Sequence, residues 1–239
     1  MPKEHLKDSN KLLYNKAKKE LAADTARGIV DTALASWHLP SEREALKALN
    51  YIEEKFPNDE APEDFWHRAS SKQFRDFFTW GHDHDFGHGI SRAGAMGERH
   101  IEITSEAIQM GFLPTNLENC KVLDIGCWSG GDLLILAGMG GLITATEEHP
   151  KSAESARELM KLLNCPTKVI GQSLYDDRSD WRQTFDIIYC SGVLYHVTDP
   201  LLLLRICFSY LRPGGRLIIE TKAWTDNQES ACHYSGSSI

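Results

Sequence analysis

The stretch KVLDIGCWSGG, from Lys121 to Gly131, decides how this chain is interpreted. Its apolar first half predicts a buried strand over 121–126, and its glycines predict a tight turn before a helix that begins near Gly131. Glu147 ends the next apolar stretch, about twenty residues further on, where a carboxylate can accept hydrogen bonds from both ribose hydroxyls. Because a glycine turn at the carboxyl edge of a sheet lets backbone N–H groups approach a ligand, we predict a nucleoside site here.

Predicted strands and helices alternate from about residue 98 to Lys222. Further apolar runs predict strands over 141–147, 167–171, 185–190 and 216–222, with helices between them. The runs are nearly continuous in Val, Ile and Leu, which is typical of parallel strands covered on both faces. We therefore predict an α/β fold with a doubly wound parallel sheet in residues 98–239. The helix over 201–211 is apolar on nearly all sides, so we expect a buried crossover helix.

Residues 1–97 are expected to form a helical, loop-rich N-terminal extension without a convincing strand. Ser41 followed by Glu44 is a capping-box pattern at the start of an amphipathic helix. The aromatic- and His-rich stretch over 65–97 is expected to be a loop, anchored by Trp80 and Phe86, that forms a lid over the site. The lysine-rich first twenty residues are interpreted as a solvated helix face.

The composition is that of a globular protein, and it favours a cytoplasmic address and a small-molecule partner. A formal net charge of −8 lacks the basic footprint of a dedicated nucleic-acid binder. No run approaches the roughly 18 apolar residues of a membrane span, so no membrane partner is expected. The start of the chain also lacks the apolar core of a secretory signal. The six cysteines form no CxxC pair, which is typical of reduced, buried thiols.

The glycine turn does not fit a dinucleotide. In the frame that begins at Gly126, Trp128 stands where a dinucleotide fingerprint has its middle glycine. A pyrophosphate needs the close backbone approach that this glycine permits, and a Trp side chain would obstruct it. A nucleoside ligand without phosphates is therefore favoured, and a nicotinamide-dependent oxidoreductase is disfavoured.

Three ordered motifs resemble those of the class I, Rossmann-like S-adenosylmethionine-dependent methyltransferases: VLDIGCWSGGD, FDIIYCSGVLYHVTDP and LRPGGRLIIET. The resemblance covers about residues 98–223 and implies S-adenosylmethionine as cofactor and methyl transfer as activity. Within the class, SGVLYH and LIIET are also similar to enzymes that modify the wobble uridine of tRNA with a carboxylated cofactor, which makes tRNA a second candidate acceptor. A third interpretation is a module that binds the cofactor without turnover.

The resemblance also implies which residues form the site. Glu147, in preference to Glu148, would hold the ribose hydroxyls, and Trp128, in place of the usual glycine, would cover the cofactor or wall the acceptor pocket. The other implied cofactor contacts lie in the turn, after the third strand and at the end of the fourth: Asp124, Gly126, Cys127, Gly130, Gln172, Ser173, Leu174, Cys190 and Ser191. Tyr195 and His196 are implied at the methyl-transfer locus, with His196 as candidate base because its usual pKa lies near neutrality. Packing against the sheet edge is the structural alternative for His196.

The unmodified cofactor is favoured over its carboxylated form. In the carboxymethylating relatives, a Tyr that Tyr195 matches acts with cationic side chains to recognise the extra carboxylate. Only Arg92 and Arg99 align as upstream cations, and both align loosely.

The run His82-Asp83-His84-Asp85, followed by His88, has residue types that bind metals. No distant ligand completes a set, so we predict no metal site and interpret the run as part of the lid.

The sequence is expected to lack the last antiparallel pair of strands of the class. The seventeen residues after Lys222 are polar and show no strand pattern. The strand over 216–222 would then be left as an exposed apolar edge, which invites pairing with another chain.

Overall fold

The computed structural model describes residues 22–61, 71–176 and 178–222. The lysine-rich start and the polar end of the sequence lie outside this part of the chain. The N-terminal region contains α1 (Ala23–Ala35), α2 (Glu42–Lys55) and the short α3 (Ser71–Asp76). The capping box at the start of α2 is present: Glu44 N–H donates to Ser41 Oγ at 3.3 Å, and Ser41 Oγ donates to Glu44 Oε2 at 2.8 Å.

The expectation that the N-terminal region has no strand was wrong in one place. β1 (His84–Asp85) and β2 (Ser91–Arg92) form a small antiparallel hairpin. The turn closes because Phe86 N–H donates to the Ile90 carbonyl at 2.9 Å and Gly87 adopts a φ of +88°, which glycine does without strain. Strands of two residues are too short to show the alternating pattern from which a strand is predicted.

A five-stranded sheet forms the rest of the domain. After α4 (Arg99–Gln109) come β3 (Lys121–Ile125), α5 (Gly131–Gly138), β4 (Leu142–Glu147), α6 (Pro150–Leu162), β5 (Lys168–Gly171), β6 (Phe185–Ser191), α7 (Pro200–Tyr210) and β7 (Leu211–Glu220). The strand order is β5-β4-β3-β6-β7, and every neighbouring pair is parallel. The predicted α/β fold with a doubly wound parallel sheet is therefore confirmed.

Apolar side chains pack on both faces of the sheet, and successive residues of β3 alternate between the two cores. Val122 belongs to the larger core, which also contains residues of α1, α2, α4, α5 and α6. Leu123 and Ile125 belong to the smaller core, which includes Leu203 and Cys207 of α7. Burial on both faces explains why the strand reads as a continuous apolar run.

The expectation that the helix over 201–211 is wholly buried was wrong. Leu203, Cys207 and Tyr210 of α7 are buried, but Leu201 is 68% exposed and Phe208 is 80% exposed. The helix forms the outer layer over β7, so only one of its faces is covered. No helix in residues 22–61, 71–176 and 178–222 combines the length and hydropathy that a bilayer span requires.

β7 ends the order of strands in the sheet and pairs with β6. Its regular pairing joins Arg216–Glu220 to Ile187–Ser191, and the register shifts between Phe185 and Ile187. The LRPGG segment, residues 211–215, lies at this irregular start of the strand, where Gly214 has a φ of +81°.

Candidate functional site

The carboxyl ends of the five strands meet at one edge of the sheet because all of the strands are parallel. The chain proceeds from β3 to β4 on one side and later returns to β6 on the other, so the strand order reverses beside β3. Ligands of open α/β sheets bind in the crevice at such a reversal, outside the carboxyl ends of the strands. The predicted cofactor residues lie at the ends of β3, β4 and β6 or directly after β3 and β5.

The turn between β3 and α5 has room only for glycine at two positions. Gly126 has a φ of +73°, and a Cβ there would lie 2.5 Å from Val193 Cγ2. Gly130, the N-cap of α5, has a φ of +87°, and a Cβ there would lie 3.2 Å from Met160 Cε. At these two positions the turn packs directly against neighbouring side chains, and its positive φ values are ones that glycine adopts without strain.

Glu147 is held in place by two backbone donors. Trp128 N–H donates to its Oε2 and His149 N–H donates to its Oε1, each at 2.8 Å. Burial raises the pKa of this carboxyl, and the two backbone N–H groups oppose that rise. The end of β4 is thereby fixed to the glycine turn, with a carboxylate at the centre of the contact.

Two buried acids lie behind the turn, and sequence analysis identified only one of them. Asp124 is buried in β3, and its Oδ2 has no hydrogen-bond partner among the described residues. Asp132, in the first turn of α5, accepts a hydrogen bond from Thr104 Oγ1 at 3.1 Å. Burial raises the pKa of Asp132 to about 7, and burial together with the charge of Asp132 raises that of Asp124 well above its usual range. A cation bound beside these acids would offset the energetic cost of burying their charged forms.

The predicted adenine-side residues follow β5. Gln172 N–H donates to the Glu147 carbonyl at 3.1 Å, and Gln172 Oε1 accepts from Arg178 Nη1 at 3.1 Å. Ser173 Oγ donates to Glu148 Oε2 at 3.0 Å, so Glu148 is already bonded while Glu147 lies at the turn. Leu174 is half-buried against the smaller core.

Two of the predicted cofactor residues, Cys127 and Cys190, are buried, and a third, Ser191, is the last residue of β6. Burial raises the pKa of the Cys127 thiol well above its usual range and raises that of Cys190 to about 12. Neither thiol is ionised at neutral pH, so neither has thiolate reactivity. Ser191 pairs with Glu220 where β6 and β7 end.

Tyr195 and His196 lie in a short 3₁₀ turn, Leu194–His196, directly after β6. Their rings are 4.4 Å apart, and the Lys222 ammonium lies 5.0 Å from the Tyr195 ring centre. Both side chains are exposed. Desolvation by the protein atoms around it and then the charge of Lys222 lower the pKa of His196, whereas desolvation and the charge of Glu220 raise the pKa of Tyr195. His196 is therefore neutral and Tyr195 protonated near pH 7. Lys222 and Glu220 were not singled out by sequence analysis.

The N-terminal region bonds directly to the glycine turn. Trp128, at a φ of +47°, donates from Nε1 to the Thr79 carbonyl at 3.0 Å. Ser129 Oγ accepts from Gly81 N–H at 3.2 Å and from His82 N–H at 2.9 Å. His82 Nδ1 accepts from the N–H of Gly131, the first residue of α5, at 3.1 Å. Residues 79–82 thus contact the turn through three separate residues.

The histidine-rich run does not form a metal site in the part of the chain that the structure describes, where no group of three or more His, Cys, Asp or Glu side chains is arranged to hold an ion. His82 and His84 are buried, and their rings lie 4.6 Å and 6.5 Å from that of His100. His88 instead bonds the Leu39 carbonyl at the surface. Asp83 and Asp85 accept from the backbone N–H groups of Gly94 and Gly87.

Acid should destabilise the fold through these histidines. His84 Nδ1 accepts from Trp80 Nε1 at 3.0 Å, and burial lowers the pKa of His84 to about 3. The unfolded chain takes up this proton below about pH 6.5 whereas the folded chain does not, so the stability contributed by neutral His84 is lost as pH falls from about 6.5 towards 3.

We expect the free energy of unfolding of His84→Gln to rise by about 2 kcal/mol relative to that of the wild type as the pH falls from 8 to 5. Urea unfolding at the two pH values measures this difference. The raised pKa values of Asp124, Asp132 and Glu147 act in the opposite direction over the same range. They are common to both proteins and cancel in the difference. A difference that stays constant with pH would contradict the prediction.

Arg92 and Arg99 differ in their surroundings. The buried Arg92 guanidinium donates to the carbonyls of Ile52 at 3.0 Å and Phe56 at 2.6 Å, at the C-terminus of α2, and lies 4.1 Å from the Trp80 ring. Arg99 is exposed and pairs with Glu102 at 2.9 Å. The position of Arg92 therefore does not support its loose alignment with a carboxylate-binding cation, whereas Arg99 lies within electrostatic reach of Glu220, the last residue of β7.

Arg92→Lys should lower the free energy of unfolding by about 2 kcal/mol, because an ammonium cannot bond both carbonyls and stack on Trp80 together. The thermal midpoint should fall by about 4–8 °C. Arg99→Lys is the matched control and should change stability by less than about 0.5 kcal/mol, since its ion pair is exposed. Equal effects of the two substitutions would contradict the role assigned to Arg92.

The glycine turn, the backbone-held acid of β4 and the unpartnered buried carboxyl group of Asp124, whose charged form a cation would stabilise, fit S-adenosylmethionine, a nucleoside that carries positive charge and no phosphate. Together with the fold, they define a class I, Rossmann-like S-adenosylmethionine-dependent methyltransferase domain. A methyltransferase-domain family profile matches residues 96–235, more than half of the chain. The chain belongs to this methyltransferase-domain family.

Known relatives match the same region. The chain is 33% identical over 118 residues to a ubiquinone biosynthesis O-methyltransferase of Xanthomonas euvesicatoria pv. vesicatoria, covering 48% of each chain. It is 37% identical over 109 residues to the protein of the same name from Xanthomonas campestris pv. campestris, covering 44% of each. The chain thus spans about half the length of the curated relatives that it matches. A solved S-adenosylmethionine-dependent methyltransferase from Aquifex aeolicus aligns with a TM-score of 0.42 and 21% identity, over 47% of this chain and 62% of that one.

Proposed function

We propose that this chain transfers a methyl group from S-adenosylmethionine to a small-molecule acceptor. The observation that carries the proposal is the contact between Glu147 and the glycine turn at the carboxyl edge of the sheet. His196 and Tyr195 follow β6, the strand next to β3. When bound, S-adenosylmethionine supplies an electrophilic methyl group on a sulfonium.

Different residues of the chain bind different parts of this cofactor. Glu147 accepts hydrogen bonds from the ribose hydroxyls, because its oxygens are already oriented by backbone donors. Gly126 and Gly130 would line the methionine and ribose portions, and Asp124, buried in β3, would orient the turn beside them. The adenine is flanked by the residues after β5: Gln172, Ser173 and Leu174.

His196 is proposed as the base and Tyr195 as a hydrogen-bond donor beside the reacting atoms. Neutral His196 can accept the proton that a hydroxyl or amine loses when it is methylated. Protonated Tyr195 can donate to the acceptor and so fix its orientation. Methyl transfer is an in-line displacement, so most of the acceleration is expected to come from holding acceptor and donor in line.

An oxygen atom of a small molecule is the acceptor that we propose. Both named relatives are O-methyltransferases, and a net charge of −8 opposes binding of an anionic nucleic acid. The tRNA alternative is not favoured, since both named relatives act in ubiquinone biosynthesis by name and the buried Arg92 is engaged by carbonyls of α2. A cytoplasmic address completes the proposal, because Cys120, Cys127, Cys165, Cys190 and Cys207 are free thiols, as expected in a reducing compartment.

We also propose that the N-terminal extension, residues 1–97, covers the site and that residues 98–239 bind the cofactor. Support comes from the full burial of Trp80 and Phe86 and from the bonds that residues 79–82 make with the turn.

The proposal is tested by calorimetric titration with S-adenosylmethionine, with NADH as control, followed by assay of S-adenosylhomocysteine release with simple phenols. Saturable binding of S-adenosylmethionine alone, with release that depends on a phenol, is expected. Tight binding of NADH would overturn the proposed cofactor. Binding of S-adenosylmethionine without turnover on phenols, amines, thiols or tRNA would support the non-catalytic interpretation instead.

A further inference from the structure

Trp128 makes contacts that the glycine usual at this position in the class cannot make. Its ring lies so close over Gly81 that a Cβ at position 81 would overlap ring atom Cδ2 and lie 2.7 Å from Cε2. Its indole N–H is bonded to the Thr79 carbonyl, and the ring of His82 meets it edge-on at 5.6 Å. The side chain is thus surrounded by residues 79–82.

The backbone of Trp128 reaches the nucleoside site at the same time. Its N–H donates to Glu147, the proposed ribose ligand, from a left-handed conformation that costs a residue with a side chain of the order of 1 kcal/mol. The next residue, Ser129, bonds Gly81 and His82. The conformation of the turn and the position of residues 79–82 are therefore tied through adjacent residues.

We infer that Trp128 is a positioning residue that couples residues 79–82 to the cofactor turn and so orders Glu147 for the methyl donor. The inference rests on the proposed function. It also gives a role to the tryptophan that stands where the class usually has glycine. Residues 79–82 become part of the wall of the nucleoside site, and the turn keeps its conformation only while it is in contact with them.

Trp128→Gly separates this inference from a passive role for the side chain. Glycine keeps the backbone N–H to Glu147 and adopts a φ of +47° without strain, so a passive tryptophan predicts unchanged or tighter binding of the cofactor. Positioning by Trp128 predicts that the Kd for S-adenosylhomocysteine, measured calorimetrically, rises about tenfold, as expected for about 1.4 kcal/mol. Trp128→Phe, which keeps a ring over Gly81, should restore most of the affinity.

A second variant tests the contact from its other side. Gly81→Ala should displace the ring and weaken binding about tenfold on its own, yet change the Kd less than about twofold in the Trp128→Gly background, where the ring is absent. Trp37→Phe is the matched control: it also removes an indole bond to a carbonyl, that of Leu134 at 2.8 Å, and should leave the Kd within about twofold.

Amide hydrogen exchange supplies a readout that does not depend on the ligand. The N–H groups of Gly81 and His82 should exchange at least about tenfold faster in Trp128→Gly than in the wild type, while the central strands stay protected. Unchanged exchange at these amides, or an unchanged Kd in a folded Trp128→Gly protein, would overturn the inference. Wild-type protein that binds no S-adenosylhomocysteine would instead overturn the proposed function, an outcome that no comparison of variants can produce.

Discussion

Replacing Glu147 by alanine should weaken the binding of S-adenosylmethionine about 100-fold. The side chain offers two carboxylate oxygens to the ribose hydroxyls, and hydrogen bonds to a charged group contribute about 1.5–3 kcal/mol each. At the lower end of that range, loss of both costs about 3 kcal/mol, which corresponds to a factor of about 100 in Kd. Calorimetric titration measures the change directly, and the enthalpy of binding should fall with the affinity.

The adjacent acid provides the control for this prediction. Glu148 is exposed and accepts from Ser173 Oγ, so Glu148→Ala should change the Kd less than about threefold. Glu147→Ala also leaves the N–H groups of Trp128 and His149 without their acceptor, so the fold of each variant must be checked by thermal unfolding. Equal affinities of wild type and a folded Glu147→Ala protein would remove Glu147 from the site.

The strands were the part of the fold that the sequence predicted best. Each predicted strand of the sheet lies within two residues of an observed one, except that β7 is assigned from Leu211 rather than from 216. Parallel strands covered on both faces are continuous apolar runs, so the pattern is local and strong. The helix over 201–211 has the same apolar texture, and there the pattern misled. Apolarity shows what a helix can bury, whereas the number of neighbouring layers decides what it does bury, as the exposed Phe208 shows.

The glycine turn and Glu147 could be predicted because their spacing is fixed within one strand-turn-helix-strand unit. The contacts of His82 with Gly131 and of Trp128 with Thr79 join residues 49 apart in sequence, and no local pattern signals them. Asp132 and Lys222 were missed for the same reason. Their surroundings depend on Thr104 and on Tyr195, which come from other elements of the fold. The roles of the site residues remain predictions that the variants above test.

The close approach of α1 to α5 requires a residue without a side chain at position 138. Gly138→Ala should therefore lower the free energy of unfolding by about 3 kcal/mol. A Cβ at position 138, the last residue of α5, would overlap the Ala33 carbonyl oxygen and lie 2.7 Å from the Ala33 carbonyl carbon. The obstacle is backbone of α1 rather than a flexible side chain, so the two helices would have to move apart. Overpacking of this kind costs about 1–3 kcal/mol, and an immovable neighbour places it at the upper end.

The thermal midpoint of Gly138→Ala should fall by about 6–12 °C. Gly28→Ala, in the facing helix α1, is the matched control, because a Cβ there meets nothing within 4 Å. That variant should gain up to about 1 kcal/mol, since alanine is the better helix former at an exposed helical position. Opposite signs for the same chemical change would show that close approach of α1 to α5, rather than helix propensity, sets the effect. A stabilising Gly138→Ala would mean that α1 does not approach α5 in solution as closely as the structure shows, and it would also weaken the case that the N-terminal region is seated on the methyltransferase domain.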